Sequence, residues 1–525
     1  MTQLTPAGSA ERLSRSLGLF GLAGAFVFLY LRTFLLPVTP YIAQGDQILF
    51  FARAAHMAHG QLPYRDFLEI VTPGTDLLYA AAFRLFGIHA WIMQAWNILL
   101  GLALFWVITQ IAGRLFRGPL VLLPGLLFLV FDFNTGLDAT HHWYSTLAVL
   151  VAVSVLMSGA NLRRIFVAGA LCGIATLFTQ TQGALVFAAL VIYLLWLRRS
   201  DPDGPSSFVR LSMLILPFVV VVSSVLGYYI YKAGFHTVFF DLILIPVRYL
   251  SSGEVNSPRT YLHQIPLVHA SADIVRLVPV LFVYAIVPYV YFFGIYQLWR
   301  KGTEQTVVIR QNLVLLHVAG LALFLAVASG PRLFRLCTVA PPAILICIWL
   351  LNQRGFTFRV VRNLLFFMAI AYAIFLTAYR QTHQRSILNL PIGRTAFTDA
   401  QEFHEFQWMS QHTQPSEVFF NQMSLALYLA LENPTSTEFI NDDGLTRPEQ
   451  VTSAIQAFQR RPPHFIMLFP ESTDSSKREN NSGPFRRYVH DNYYLVQIFT
   501  LNPGSRREEL WELGRPAETA QPPMQ

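Results

Sequence analysis

The stretch GTDLLYAAAFRLFG, residues 74–87, decides how the chain is threaded. It is apolar enough to suggest a membrane span, yet it is short and carries Asp76 and Arg84. A helix needs roughly 20 apolar residues to cross the hydrocarbon core of a bilayer. The segment is therefore expected to lie along the interface as an amphipathic helix. If it crossed instead, the sidedness of every later segment would invert.

The rest of the chain is that of a multi-span membrane protein. Of its 525 residues, 54% are hydrophobic and 13% charged, against about 25% charged in a soluble domain. Apolar runs at about 17–37, 90–113, 118–132, 143–159, 163–180, 183–198, 208–232, 273–299, 311–329, 333–351 and 360–379 give eleven expected spans. With the N-terminus and its Arg12 and Arg15 in the cytoplasm, every inner loop holds a basic cluster. These include Arg114/Arg117, Arg163/Arg164 and Arg300/Lys301/Arg310, whereas the outer loop 133–142 has no Lys or Arg. That asymmetry follows the positive-inside rule. It favours eleven spans, an interfacial 74–87 and an outer C-terminus. The net charge of +8 is thereby explained by orientation, and no nucleic-acid partner is expected. Cys172, Cys337 and Cys347 fall in expected spans and form neither a disulfide framework nor a metal-ligand spacing.

Three outer segments exceed simple connectors: 38–89, 133–142 and 233–272. A tail from 381 to about 515 turns polar. Its short runs EVFF, HFIML and YYLVQIF alternate with helical patterns at 400–412, 424–432 and 447–459. This reads as a small extracytoplasmic α/β domain, followed by a disordered end at 516–525. Residues 1–380 form the transmembrane domain.

In the first outer loop, Asp46, Leu49/Phe50, Arg53 and His56/Met57 share one face of an expected helix over 46–59. Gly60 ends it, and LPYRDF continues extended ahead of a second helix. Asp66 and Glu69 lie between the two. A carboxylate at this height is suited to removing a proton from a hydroxyl. Asp46 is equally suited to capping its helix.

The order of an N-terminal span, an Asp-bearing outer helix, G-x-L-P-Y-R-D-F, a Pro-Gly turn, LLYAAAFRLFG and a span ending in GRLFRG resembles the GT-C superfamily of integral-membrane glycosyltransferases. The similarity covers roughly residues 15–150. Protein O-mannosyltransferases, aminoarabinose transferases acting on lipid A and lipopolysaccharide sugar transferases are the nearest groups. The resemblance implies a polytopic GT-C-like helical fold with interfacial helices in the first outer loop. It also implies transfer of a sugar from a polyprenyl-phosphate donor to a glycan, lipid or protein acceptor outside the cytoplasm, in a bacterial inner membrane. The acidic catalytic base of such enzymes carries over onto Asp46. Two departures stand out: Gln47 where many relatives have a second acid, and VTPG where many have a His/Pro-Pro turn.

A lipid-phosphate donor needs cations near the outer face, and arginine's fork suits a phosphate. Arg332 and Arg335, three apart at the start of a span, are the leading candidates, with Arg248 next. Arg53, Asp66, Glu69, Asp138, His141 and His142 are candidates for contacting the acceptor or the sugar. The last three can alternatively form a polar interfacial turn or take a divalent cation, although Asp-x-x-His-His is a weak ligand pattern. No cofactor is required by any motif. The rival function is a transporter or flippase of lipid-linked sugars, but repeated halves and mid-membrane helix breaks are not evident.

Overall fold

A computed structural model describes residues 6–43, 45–200, 204–247, 261, 271–301, 306–352, 355–383, 385–440, 446–469, 481–501 and 506–514. The chain forms two compact units. The first comprises Met1–Thr33, Ile70–Thr75 and Ala95–Arg380; the second comprises Phe34–Glu69, Asp76–Gln94 and Gln381–Gln525.

The first unit is a helical bundle. Each of the eleven apolar runs is helical. Among the described residues, eight helices are long and apolar enough to cross a membrane. Leu333–Val339 and Pro341–Asn352 make a ninth, bent by 65°. The bend follows from Pro341 and Pro342, which remove two amide donors and restrict the residue before them. His141–Met157 and Leu162–Phe178 are each 17 residues long. Gly74–Phe86 is a helix of 13 residues, about 20 Å at 1.5 Å per residue, and falls short of the roughly 30 Å hydrocarbon core.

Apolar side chains do not drive helices together in lipid, so close backbone approach must. Gly169 and Gly173, four apart on Leu162–Phe178, provide it against Ser207–Ala233. A Cβ on Gly169 would overlap the Leu214 carbonyl oxygen and meet the Pro217 ring at 2.9 Å; one on Gly173 would meet the Val221 Cβ at 2.9 Å. The TPG turn has a similar cause. Thr72 Oγ1 donates to the Thr176 carbonyl at 2.7 Å, and a Cβ on Gly74 would meet the Leu177 carbonyl oxygen at 2.5 Å. Any larger residue at position 74 would push the turn off the end of that helix.

The second unit holds the first-loop helices and the polar tail. Phe51 of Gln47–Ala58 stacks on Tyr79 of Gly74–Phe86, with centroids 4.2 Å apart, and tilts against Phe83 at 5.5 Å. The tail forms a hairpin of Ser386–Leu390 with Gly393–Phe397. It also forms a four-stranded sheet in the order Phe419–Phe420, Phe465–Leu468, Arg506–Leu513, Tyr493–Leu501. The first pair is parallel and the others antiparallel, with Ile466 opposite Trp511 and Leu495 opposite Trp511 across the next ladder. The strands buried at Phe420, Ile466 and Leu468 pack on Phe458 and Phe485 from the helices Pro448–Arg460 and Gly483–Asn492. Ala400–His412 starts at Asp399, whose Oδ1 accepts from the amides of Gln401 and Glu402. The expected disordered end, 516–525, lies outside the described residues.

Gly169→Leu is expected to cost about 3 kcal/mol, because the obstructing atom is a backbone carbonyl that cannot rotate away. Thermal melting of the purified protein checks this; a melting temperature equal to wild type would show that the helices do not pack there.

Candidate functional site

In the second unit, Asp46 stands at the N-cap position of Gln47–Ala58 with no side-chain bond to the helix amides. It is exposed, and Gln47 beside it is fully buried with its Nε2 donating to the Met93 carbonyl at 3.0 Å. The position where relatives often carry a second acid is thus given to a structural amide. The Ala43 amide, just upstream, donates to the Tyr428 hydroxyl at 2.8 Å. Gln94 Nε2 donates to the Tyr41 carbonyl at 2.8 Å. The segment entering the helix is therefore tied down at several points while the Asp46 carboxylate faces outward.

Arg53 lies two turns further on and is 4% exposed. Its Nη1 donates to Glu69 Oε2 at 2.6 Å. Its Nε and Nη2 fork onto Glu438 at 2.7 and 3.1 Å. Burial alone would pull the guanidinium down, but the Glu438 and Glu69 charges outweigh it and hold its pKa above the ordinary value. Asp76, buried completely, completes the cluster. Burial, then the Glu69 charge, push its carboxyl well above the usual carboxylate range, against the pull of Arg53. The neutral form of Asp76 is thereby favoured, beside a guanidinium that meets the carboxyls of Glu69 and Glu438. His56, on the same helix, is held below the usual histidine value by burial, against the raising influence of Glu438.

Asp66 occupies a different role in this unit. Its Oδ2 accepts from the Leu62 amide at 2.8 Å and from Arg65 Nη2 at 2.6 Å, and the Arg65 bond heads the causes that lower its pKa. It closes the YRDF turn, with Tyr64 at φ 66°.

In the first unit, the second-loop residues and the basic pair come together. His141 Nδ1 is 2.9 Å from Thr179 Oγ1, and the rings of His141 and His142 lie 3.8 Å apart. His142 packs edge-on against Phe334 at 6.0 Å, between Arg332 and Arg335 in sequence. Asp138 is buried, and a Cβ on neighbouring Gly136 would meet its Oδ1 at 2.9 Å and the Phe334 ring at 3.0 Å. Arg332 and Arg335 are both partly exposed at the start of Leu333–Val339. Arg335 Nη1 donates to the Gly330 carbonyl at 3.3 Å. Arg248 lies outside the described residues. No group of three or more His, Cys, Asp or Glu among the described residues is placed to hold a metal.

Two acidic side chains that sequence reasoning left aside stand out in their units. Glu438 sits in a loop of the polar tail with no motif around it, so only the fold could bring it to Arg53. Asp132 lies in the π-helical turn Phe128–Phe133, with both carboxyl oxygens buried and without a hydrogen-bond partner among the described residues. An acid at the end of an apolar run was the available signal, since such groups inside a membrane unit are functional candidates by default.

Comparisons with known proteins bear on these sites. Residues 71–227 match the family model described as dolichyl-phosphate-mannose-protein mannosyltransferase. Asp46 and its helix precede the matched segment. No curated protein matches the chain. Among solved structures it is similar to ArnT from Cupriavidus metallidurans bound to undecaprenyl phosphate, at 14% identity over 94% of this chain and 97% of that one, with a TM-score of 0.59. The apo state of the same protein gives 14%, 94%, 97% and 0.55. The archaeal oligosaccharyltransferase AglB from Archaeoglobus fulgidus, in complex with an inhibitory peptide and a dolichol-phosphate, gives 10% identity, 86% and 69% coverage and 0.46. The chain has the GT-C fold that ArnT has.

Arg53→Met should destabilise the second unit by about 3–5 kcal/mol, because it strands two buried carboxylates; chemical denaturation measures this, and a loss under about 1 kcal/mol would disprove the cluster. For Asp76 the sign is fixed by the raised folded pKa. Its stabilising contribution is complete below the ordinary aspartate value of about 3.9 and is lost as pH rises through the folded value. Asp76→Asn, which stays neutral, should therefore melt higher than wild type near pH 8, with the gap closing toward about pH 4. A gap that is constant with pH would mean that Asp76 is ionised in the fold.

Proposed function

From a GT-C fold that presents one exposed acid at the head of a buried first-loop helix, we propose a membrane glycosyltransferase that uses a polyprenyl-phosphate sugar donor. The fold likeness to ArnT along nearly the whole length of both chains is the observation that carries this reading. Undecaprenyl phosphate is bound in that ArnT structure, and it is the class of carrier proposed here.

Asp46 acts as general base. Its carboxylate takes the proton of the acceptor hydroxyl as that oxygen bonds to the anomeric carbon. The bond from that carbon to the phosphate oxygen breaks, the electron pair leaves with the polyprenyl phosphate, and the configuration inverts. Arg332 and Arg335, with Arg248, bind the donor phosphate and stabilise the charge that grows on it as it leaves. Asp138, His141 and His142, gathered beside Phe334, provide polar contacts for the sugar or the acceptor hydroxyl. Arg53 and Glu69 serve this centre by holding the Asp46 helix, and Asp66 by closing the turn behind it. The sugar is a hexose or pentose, and the acceptor is a glycan, glycolipid or protein. The protein resides in a bacterial inner membrane with its N-terminus in the cytoplasm and its polar tail outside.

Asp46→Asn should lower transfer of labelled sugar from a polyprenyl-phosphate donor by about 100-fold or more, with an unchanged melting temperature, since the residue is exposed. Transfer at the wild-type rate by the purified variant would remove Asp46 from the reaction.

A further inference from the structure

A cavity of about 700 Å³ opens within the second unit, between the C-terminal half of Gln47–Ala58 and the tail domain. Ala52, Ala55 and His56 line one side; Ala426, Ala430 and Glu438 line another. That volume falls in the range of small-ligand sites. His56 follows Asp46 by ten residues on the same helix, a separation of about 15 Å at 1.5 Å per residue. The cavity is therefore not where the proton is removed.

Its chemistry selects its occupant. Glu438 lies at the cavity, its side chain 10% exposed, and belongs to a cluster in which one arginine meets Glu438 and Glu69, with Asp76 buried in the same cluster. The excess negative charge disfavours phosphorylated, sulfated or uronic groups. At the rim, Arg461 and Glu432 neutralise one another at 2.5 Å. An acyl chain would strip water from Glu438, His56 and Gln61 without replacing their hydrogen bonds. A peptide bound by strand addition would need a free edge, and the edge at Phe419 is already used. The Phe419 amide donates to the Glu432 carbonyl at 3.0 Å, the Glu432 amide to the Glu417 carbonyl at 2.8 Å, and the Ser416 amide to the Ala430 carbonyl at 2.8 Å. What remains is a wall of mixed character, with polar side chains beside the apolar faces of Phe419, Met423 and Leu427. It matches the alternating hydroxyls and C–H faces of a sugar.

We infer that this cavity is an acceptor subsite for sugar units free of acidic groups, distal to the unit that reacts. The inference rests on the glycosyltransferase reading and narrows its acceptor to an elongated saccharide.

The test uses the full chain, a radiolabelled polyprenyl-phosphate sugar and a bacterial membrane extract as acceptor. Ala55→Phe and Ala426→Phe fill the cavity from opposite walls. Each should raise the half-saturating extract concentration at least tenfold, with an unchanged melting temperature and an unchanged rate of donor hydrolysis without extract. Oxidising the extract with periodate should abolish acceptance, and protease treatment should leave it intact. If both variants saturate within twofold of wild type while wild type transfers, the subsite is overturned and the activity stands. The subsite is overturned in the same way if protease destroys the acceptor and periodate spares it. A wild type that transfers to no extract defeats the glycosyltransferase reading itself, and the subsite with it.

Discussion

Arg53 is the point on which the second unit turns. Its planar fork reaches Glu438 with two donors and Glu69 with a third, joining the first-loop helix, the extended segment after it and a loop of the tail almost four hundred residues away. Lysine has three donors on a single nitrogen but not the planar fork whose separate nitrogens reach both carboxylates here. The cluster is costly to bury and is tolerated because almost every polar atom on the guanidinium has a partner. Asp76 shows the other side of that constraint. Burial, then the Glu69 charge, push its carboxyl well above the usual carboxylate range. The helix headed by Asp46 is held by these contacts two turns along its length.

The first unit obeys a different constraint. Between helices in lipid, burial of apolar surface gains little, so the contacts that matter are close and small. Gly169 and Gly173 admit the backbone of Ser207–Ala233, and Gly74 admits the end of Leu162–Phe178. Paired prolines supply the bend at residue 340. Polar side chains meet around His142 and Phe334, and His317 is buried midway along Val307–Val327. Arg332 and Arg335 flank Phe334 in that region.

The tail domain ties the first loop to a sheet, and this gives the polar C-terminal third of the chain a role of its own. Tyr428 holds the Ala43 amide, Glu438 holds Arg53, and the cavity between them borders His56. The tail thus contributes both an anchor for the first-loop helix and a wall of the cavity.

The eleven helical segments, the short length of 74–86, the strands in EVFF, HFIML and YYLVQIF and three helices of the tail were legible in the sequence; the helix Gly483–Asn492 was not. Each legible element depends on the local period of apolar side chains and on Pro and Gly punctuation, which short windows contain. The outward Asp46 at the head of its helix was legible for the same reason. Only the tertiary structure decided the rest. The expected Asp46–Arg53 face splits, with Asp46 exposed and Arg53 buried on carboxylates, because Glu438 approaches from a stretch that no periodicity links to residue 53. Gln47 is buried on the Met93 carbonyl, and Glu69 and Asp76 are buried together beside Arg53. Such pairings are chosen by packing among distant segments, and the energy of a buried charge depends on which neighbours arrive, so no local pattern encodes it.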